Sequence, residues 1–311
     1  MSQVKAAEDF MRRKLVTLSP ETDVLDGVTR LLRDNISGAP VIDDDGNFLG
    51  VFSEKCCMNA LTKSVETASD TKLHVPRVRE FMKCELTTLS PDQDVFDSID
   101  HLLKRRISGA PVVDNEGRYQ GIFSEKTALR VLVAAVHDQL PGTNVASYMN
   151  LDRNRIIDEE DTLLEVARKF QNTPYRRLPI LHGEKLAGQV SRRDVLQAGQ
   201  RVAKEVQLRS TRDNSDPRMA EAAQTGVVRT FMDQAALTAR SSTDMLSIAQ
   251  MFLNSPYRRL PIVNHGRLIG QVSRRDLLEA AAESLRPKPL RRGSETLYVS
   301  SLTETAPPSI G

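Results

Sequence analysis

The sequence predicts an α+β protein built from four copies of one strand, helix, strand, strand, helix unit. The first observation behind this prediction is the length, because 311 residues allow about two domains of roughly 150 residues each. The second is the composition, with 40% hydrophobic and 27% charged residues, which excludes disorder of the whole chain. The third is a single sequence pattern that occurs four times along the chain.

The four copies form two closely related pairs. The segment that starts at Phe10 with FMRRKLVTLSP returns at Phe81 as FMKCELTTLSP, and about half of the positions in this pair are identical. The segment that starts at Tyr148 returns at Phe231, and both copies contain YRRLPI and GQVSRRD. Since the two pairs also share one order of predicted elements, the chain uses a single unit four times.

The first copy shows how the elements follow from the residues. A strand is predicted over 15–18, and the apolar positions Val24, Val28, Leu31 and Leu32 then mark one face of an amphipathic helix. Two strands over 39–42 and 48–52 flank the turn at 44–46, and Ser53 opens a second helix.

Three segments fit the repeat less well and are predicted to be linkers with some helix. They cover residues 63–79, 135–146 and 200–226. The last segment, 286–311, lacks periodicity and is rich in Pro, Ser and Thr, which predicts a mobile tail.

This skeleton, with its strand of the SGAPV or RRLPI type and its Ser-x-x-Asp before the last helix, resembles the CBS domain, named for cystathionine β-synthase. The resemblance implies tandem repeats that pack through their sheets into modules with two clefts, which often bind adenine nucleotides. On this basis residues 1–134 are expected to form one module, with repeats at about 10–62 and 81–134. Residues 148–285 are expected to form the second, with repeats at about 148–199 and 231–285.

The resemblance also implies ligand-binding roles for the Ser-x-x-Asp motif in the second module. It assigns the ribose hydroxyls to Asp194 and Asp276, with Ser191 and Ser273 beside the ribose and phosphate. A carboxylate can accept two charge-assisted hydrogen bonds from a cis-diol, and a helix N-terminus favours an anion. The alternative is a capping box, in which Ser closes the first helical turn and Asp reaches back.

The arginines of YRRLPI are the candidate phosphate ligands, because guanidinium groups can bind phosphate in a bidentate manner. They are Arg176, Arg177, Arg258 and Arg259. The alternative is a solvated strand end with surface ion pairs. In CBS pairs one repeat usually completes the pocket of the other, so Asp276 is expected beside Tyr175 and Arg176, and Asp194 beside Tyr257 and Arg258. Gln189 and Gln271 could contact an adenine edge or point outward.

The first module lacks both parts of this signature. Cys56 and Thr127 replace the two aspartates, and Ser-Gly pairs at 37–38 and 108–109 replace the arginines. The sequence therefore predicts that the first module is structural, binds a partner, or binds a different ligand.

The sequence as a whole predicts a cytoplasmic regulatory protein without catalytic activity. Its expected ligand is AMP, ADP, ATP or a related adenosyl compound in the second module, and it is expected to signal to an unidentified protein. Neither a cofactor nor a metal is expected, since the histidines and cysteines show no ligand spacing. No segment is apolar enough to span a membrane. The four repeats could assemble as one disc or through a homodimer.

Two other functions remain open. One is an interaction scaffold whose arginines pair with acidic side chains and which binds no nucleotide. The other, less favoured because the net charge is only +2, is nucleic-acid binding through the basic second module.

Overall fold

The computed structural model describes residues 5–71, 73–136, 142–212, 217–224 and 226–285. The predicted tail at 286–311 lies outside the described residues. Within them, each repeat consists of a helix, a two-stranded antiparallel hairpin and a second helix.

The main helices of the four repeats occur in pairs along the chain. They are α2 (Val24–Arg33) and α3 (Glu54–Asp70), α4 (Val95–Arg105) and α5 (Glu125–Val136), α6 (Leu163–Asn172) and α7 (Arg192–Arg212), and α10 (Met245–Leu253) and α11 (Arg274–Leu285). The short helix α1 (Ala7–Phe10) precedes them, and α8 (Pro217–Ala223) and α9 (Val228–Phe231) lie between α7 and α10. Short 3-10 turns lie at Val78–Glu80, Val145–Ser147 and Arg153–Arg155.

The hairpins have the same register in related repeats. Their strands are β1 (Gly38–Ile42) with β2 (Phe48–Ser53), β3 (Gly109–Val113) with β4 (Tyr119–Ser124), β5 (Arg177–His182) with β6 (Lys185–Ser191), and β7 (Arg259–Asn264) with β8 (Arg267–Ser273). The strand predicted at 15–18 is reduced to one parallel bridge between Leu18 and Val41.

The first helix of each repeat forms where the sequence predicts it. In α2 the Asp23 carboxylate accepts a hydrogen bond from the Leu25 backbone N–H at 2.7 Å, which caps the helix. Val24, Val28 and Leu31 are fully buried, so the predicted apolar stripe faces the core. The prediction of this amphipathic helix is confirmed.

The predicted linkers contain more helix than expected. The second helix of repeat 1 continues to Asp70, and that of repeat 3 continues to Arg212. These extensions occur because α3 and α7 pack along each other and against α8, burying apolar residues that a short repeat helix would leave unused, such as Val65 and Val206.

Backbone pairing joins repeat 1 to repeat 4 and repeat 2 to repeat 3. Arg12 bridges Gln271 and Val51 bridges Asp233, so the opening segment of repeat 1 pairs with the hairpin of repeat 4, and the opening segment of repeat 4 pairs with the hairpin of repeat 1. The same exchange recurs where Lys83 bridges Gln189 and Ile122 bridges Asn150. A Cβ at Gly50 would lie 2.7 Å from the Asp233 carbonyl oxygen, so only glycine allows this close approach.

The helices pack in a different combination. Repeat 1 contacts repeat 3 through α3 with α6 and α7, and repeat 2 contacts repeat 4 through α5 with α10 and α11. Each repeat therefore contacts one neighbour by strands and another by helices. The bridges join repeat 1 to repeat 4 and repeat 2 to repeat 3, whereas the modules expected at 1–134 and 148–285 would join repeat 1 to repeat 2 and repeat 3 to repeat 4.

Candidate functional site

A central cavity of about 820 Å³ lies where the four repeats meet. Eleven of its lining residues are Lys or Arg and five are Asp or Glu, which leaves an excess of six positive charges. Because the lining includes residues of every repeat, the site depends on the complete assembly. A cavity of this size and charge suits an anionic small molecule.

Two of the predicted phosphate ligands form ion pairs with buried glutamates. Arg176 Nη2 donates to Glu54 Oε2 at 2.9 Å, and Arg258 Nη2 donates to Glu125 Oε2 at 2.5 Å. The glutamate side chains are only 5% and 3% exposed. These pairs join repeat 3 to repeat 1 and repeat 4 to repeat 2. The arginines are therefore not a solvated strand end.

The other two arginines bind hydroxyl groups. Arg177 Nη1 donates to Ser108 Oγ at 2.6 Å, and Arg259 Nη1 donates to Ser37 Oγ at 2.7 Å. Burial, with the charge of Arg258 as the next cause, lowers the pKa of Arg177 and of Arg259 to about 10. Burial first and then the charge of Arg258 lower the pKa of Arg176 as well. The arginine side chains therefore repel one another across the cavity.

The Ser-x-x-Asp motif forms the capping box in both copies. Asp194 Oδ2 accepts hydrogen bonds from the backbone N–H and the hydroxyl of Ser191 at 2.8 and 2.6 Å. Asp276 Oδ2 accepts the same two bonds from Ser273. The capping interpretation is thus confirmed geometrically, and it uses only one of the two carboxylate oxygens.

The second oxygen of each aspartate points at a basic residue from another repeat. Asp276 Oδ1 accepts from Arg12 Nε at 2.6 Å, and Asp194 Oδ1 lies 3.3 Å from Lys83 Nζ. The partners expected from the sequence were Tyr175 and Arg176 for Asp276, and Tyr257 and Arg258 for Asp194. Arg176 and Asp276 line the same cavity, so this part of the expected pocket stays a prediction, whereas Arg258 lines the cavity without Asp194.

The two tyrosines bond within their own repeats. The Tyr175 hydroxyl donates to Asp152, and the Tyr257 hydroxyl donates to Asp233 Oδ2 at 2.9 Å. Neither tyrosine lines the central cavity. Their predicted role in ligand binding therefore has no geometric support at this cavity.

The two glutamines differ. Gln271 lines the cavity, whereas Gln189 does not, and Gln189 Oε1 is buried without a hydrogen-bond partner in the described part of the chain. An adenine contact therefore stays a prediction for both glutamines, and the buried Oε1 of Gln189 does not favour its outward alternative.

Sequence reasoning missed the acidic residues of the site. Glu54 and Glu125 occupy the position after the capping serine in repeats 1 and 2, and Arg192 and Arg274 occupy it in repeats 3 and 4. A reversal of charge at an equivalent position was the available signal. Glu54 and Glu125, from the first half of the chain, supply the negative charges that pair with arginines of the second half. The two halves of the chain therefore form one site.

Among the described residues, no group of His, Cys, Asp and Glu could hold a metal ion. Within the same ranges, no helix is both long and apolar enough to cross a bilayer.

Comparison with known proteins gives matches along most of the chain. The chain is 21% identical to the uncharacterized protein MJ1225 of Methanocaldococcus jannaschii over 300 residues, covering 89% of this chain and 98% of that protein. The crystal structure of MJ1225 matches with a TM-score of 0.39, 20% identity, and coverage of 89% and 99% of the two chains.

Other matches are shorter. The crystal structure of CBSX2 in complex with AMP matches at a TM-score of 0.37 and 24% identity, covering 40% of this chain and 97% of that one. Inosine-5'-monophosphate dehydrogenase of Aquifex aeolicus is 25% identical over 131 residues, which are 42% of this chain and only 25% of the enzyme.

The family model described as "CBS domain" matches four times, at residues 7–63, 78–134, 146–201 and 228–283. These ranges cover well over half of the chain and coincide with the four repeats found in the sequence. The resemblance noted there is confirmed, and the chain belongs to the CBS domain family.

Proposed function

We propose that this chain is a regulatory protein that binds an adenine nucleotide in its central cavity and has no catalytic activity of its own. The observation that carries the proposal is the excess of six positive charges lining one cavity of about 820 Å³. Charge buried without compensation is costly, so a site of this kind gains free energy when an anion enters it.

The lining offers a distinct group to each part of a nucleotide. Arg177 donates to Ser108 Oγ, and Arg259 donates through Nη1 to Ser37 Oγ and the Gly38 carbonyl. Each guanidinium has five N–H groups, so others can bind phosphate oxygens. Asp276 supplies a carboxylate for ribose hydroxyls, since its partner Arg12 is 64% exposed and can turn away or rotate onto a phosphate. Adenine is the base that the family resemblance implies.

The proposed signal follows from the repulsion between the arginines. Phosphates would neutralise like charges contributed by repeats 3 and 4 and compete with Glu54 and Glu125 for Arg176 and Arg258. An empty and a filled cavity would then differ in how tightly the helix-packed repeats are held together, which a partner protein could recognise.

The internal ion pairs also favour the alternative function, an interaction scaffold without nucleotide. In that case Glu54 and Glu125 satisfy the arginines permanently. Nucleic-acid binding is less favoured by the geometry, because the positive charge surrounds a cavity too small for a duplex.

The test is thermal unfolding of the full chain with AMP, ADP, ATP, S-adenosylmethionine and GTP at millimolar concentration. A ligand selective for the native state stabilises it by about 2.7 kcal/mol at a concentration 100 times Kd. We expect a selective rise in Tm with at least one adenine compound, and loss of that rise in the double variant R177M/R259M.

Inorganic triphosphate is the control for unspecific anion binding. An equal rise with triphosphate and with ATP would reduce the site to an anion site. No rise with any compound would contradict nucleotide binding and favour the scaffold.

A further inference from the structure

The two helix-packed interfaces of the molecule differ in length. Between repeats 1 and 3, α3 covers 17 residues and α7 covers 21, and they pack along each other and against α8. Between repeats 2 and 4, the equivalent helices α5 and α11 cover 12 residues each. Pro287 and Pro289 align with Glu205 and Gln207 of α7, and proline is unfavourable inside a helix, so the sequence itself limits the length of α11.

Polar contacts hold the longer interface along its whole length. Ser64 Oγ of α3 and Gln207 Nε2 of α7 donate to the carbonyl groups of Ala222 and Ala223 at 2.9 and 3.1 Å, so α8 is bound to both helices. Four further side chains donate across this interface: Gln171 to Thr62, Arg168 to Glu66, Gln200 to Thr29, and Arg193 to the carbonyls of Leu32 and Ile36. Loss of the Glu54 ion pair would leave these contacts in place.

The shorter interface depends on a single carboxylate. The polar side-chain contacts described between repeats 2 and 4 are those of Glu125 with Arg258 and Arg275, and a bond of 3.3 Å from Lys126 Nζ to the Ser255 carbonyl. Arg275 lies 3.6 Å from Glu125 Oε1, which has no hydrogen-bond partner among the described residues. Arg258 therefore supplies the hydrogen bonds that hold this carboxylate.

Apolar packing contributes to both interfaces, but it extends further between repeats 1 and 3. The shorter interface buries two leucines of each helix, namely Leu129, Leu132, Leu277 and Leu278. The longer one also buries Ala68 and Val206, which align with positions beyond the ends of α5 and α11. A void of about 10 Å³ between α3, α6 and α7 has room for no more than one water, so it does not offset this difference.

We propose that the helix interface between repeats 2 and 4 is the part of the molecule that opens, while the interface between repeats 1 and 3 acts as a fixed hinge. The Glu125 side chain holds the moving interface closed. When a phosphate takes Arg258, the buried carboxylate of Glu125 loses its hydrogen bonds, and α5 and α11 separate so that water can reach it. This last step rests on the proposed function, whereas the difference between the two interfaces does not.

Hydrogen exchange of the full chain, followed by mass spectrometry, tests the inference without ligand. In the parent, the amides of α5 and α11 should exchange at least about tenfold faster than those of α3 and α7. E125Q should accelerate α5 and α11 selectively, by a further factor of about ten, because the remaining contacts of that interface are few. E54Q is the matched control at the aligned position, and it should accelerate α3 and α7 no more than the rest of the chain.

A second variant tests the hinge. S64A/Q207A removes the two hydrogen bonds that hold α8 on α3 and α7. In this background E54Q should accelerate the exchange of α3 and α7 selectively, by about tenfold, because the longer interface then depends on its carboxylate as well. Circular dichroism identifies any variant that has lost its fold, and the comparison of the two helix pairs in the parent then decides.

Equal exchange of the two helix pairs in the parent, or selective opening of α3 and α7 in E54Q alone, would overturn the inference. Saturating ATP tests the link to the ligand, and we expect it to accelerate α5 and α11 in the parent and to add little in E125Q. Protection of the cavity without any change in α5 and α11 would overturn the opening step. No effect of ATP on exchange anywhere would contradict the proposed function, and the variants without ligand would still decide between the two interfaces.

Discussion

At the scale of the residue, the position after the capping serine is used in two opposite ways. Glu125 lies there in repeat 2, where its side chain is 3% exposed and accepts a hydrogen bond from Arg258. Arg274 lies there in repeat 4 and binds backbone carbonyls of its own repeat. The glutamate at this position therefore ties repeat 2 to repeat 4 by charge, whereas the arginine acts within its own repeat.

The substitution E125Q tests this pair. A buried guanidinium that loses its carboxylate keeps its desolvation cost, so we expect the free energy of unfolding to fall by about 2 to 3 kcal/mol in the absence of ligand. The same variant should bind ATP more tightly, because the phosphate no longer competes with Glu125. Urea unfolding with and without ATP measures both effects, and E116Q, at an exposed pair with Arg118, is the control expected to show neither.

The pH dependence of this pair has a definite sign. Burial acts to raise the pKa of Glu125, but the charge and hydrogen bond of Arg258 and the charge of Arg275 outweigh it, so the pKa lies below the ordinary 4.5. A carboxylate with a lowered pKa contributes stability that is complete above its unfolded pKa and is lost as the pH falls through the folded one. E125Q should therefore differ less from the parent at acid pH than at pH 7, and a constant difference would contradict the assignment.

At the scale of the element, the chain ends equivalent helices by two methods. In repeat 1 the second residue after α2, Asn35, and in repeat 2 the first residue after α4, Arg106, take a left-handed backbone with φ of 52° and 54°. In repeat 4, Arg274 Nη2 instead donates to the Phe252 and Ser255 carbonyls at 3.2 and 3.3 Å, and its guanidinium lies 5.8 Å from the Phe252 ring centroid. Arg192 does the same for α6 with the carbonyls of Phe170 and Thr173.

The substitution R274M tests this use of arginine. Methionine preserves much of the packing on Phe252 but leaves the last carbonyls of α10 without their donor, so we expect a loss of about 2 kcal/mol in unfolding free energy. Affinity for ATP should not change, since Arg274 does not line the cavity. R209M, at an exposed i,i+4 pair on α7, is the matched control. A large loss of ATP affinity in R274M would place the residue in the ligand site instead.

The same scale shows what local sequence can and cannot predict. The helices, the hairpins and the Ser-x-x-Asp caps were predictable because their signals lie within a few residues, as with Asp23 and Leu25. Glu54 and Arg176 are 122 positions apart, and Arg12 and Asp276 are 264 apart. Such contacts depend on the order in which the repeats assemble, which a local pattern does not contain. The four-fold repeat was visible, but its pairing was not.

At the scale of the whole molecule, the four repeats form a closed cycle. Strand exchange links 1 to 4 and 2 to 3, and helix packing links 1 to 3 and 2 to 4. Every repeat therefore contacts two others, and the cavity at the centre receives side chains from all of them. Under the proposed function, a ligand bound in this cavity would act on both kinds of interface at once, which would couple the cavity to the outer surface.

Engineered disulfides test the order of this cycle. Asn47 of repeat 1 bridges Arg267 of repeat 4. Arg118 occupies the position of Arg267 in repeat 2, so it would lie opposite Asn47 if repeat 1 paired with repeat 2. In a C84S background, which removes the exposed native thiol, N47C/R267C should form an intramolecular disulfide under mild oxidation. N47C/R118C should remain reduced, because those residues belong to different strand-paired units. Gel mobility and peptide mass measure which disulfide forms. A disulfide in N47C/R118C and none in N47C/R267C would establish that consecutive repeats pair, and it would contradict the ion pairs between the cavity's arginines and Glu54 and Glu125.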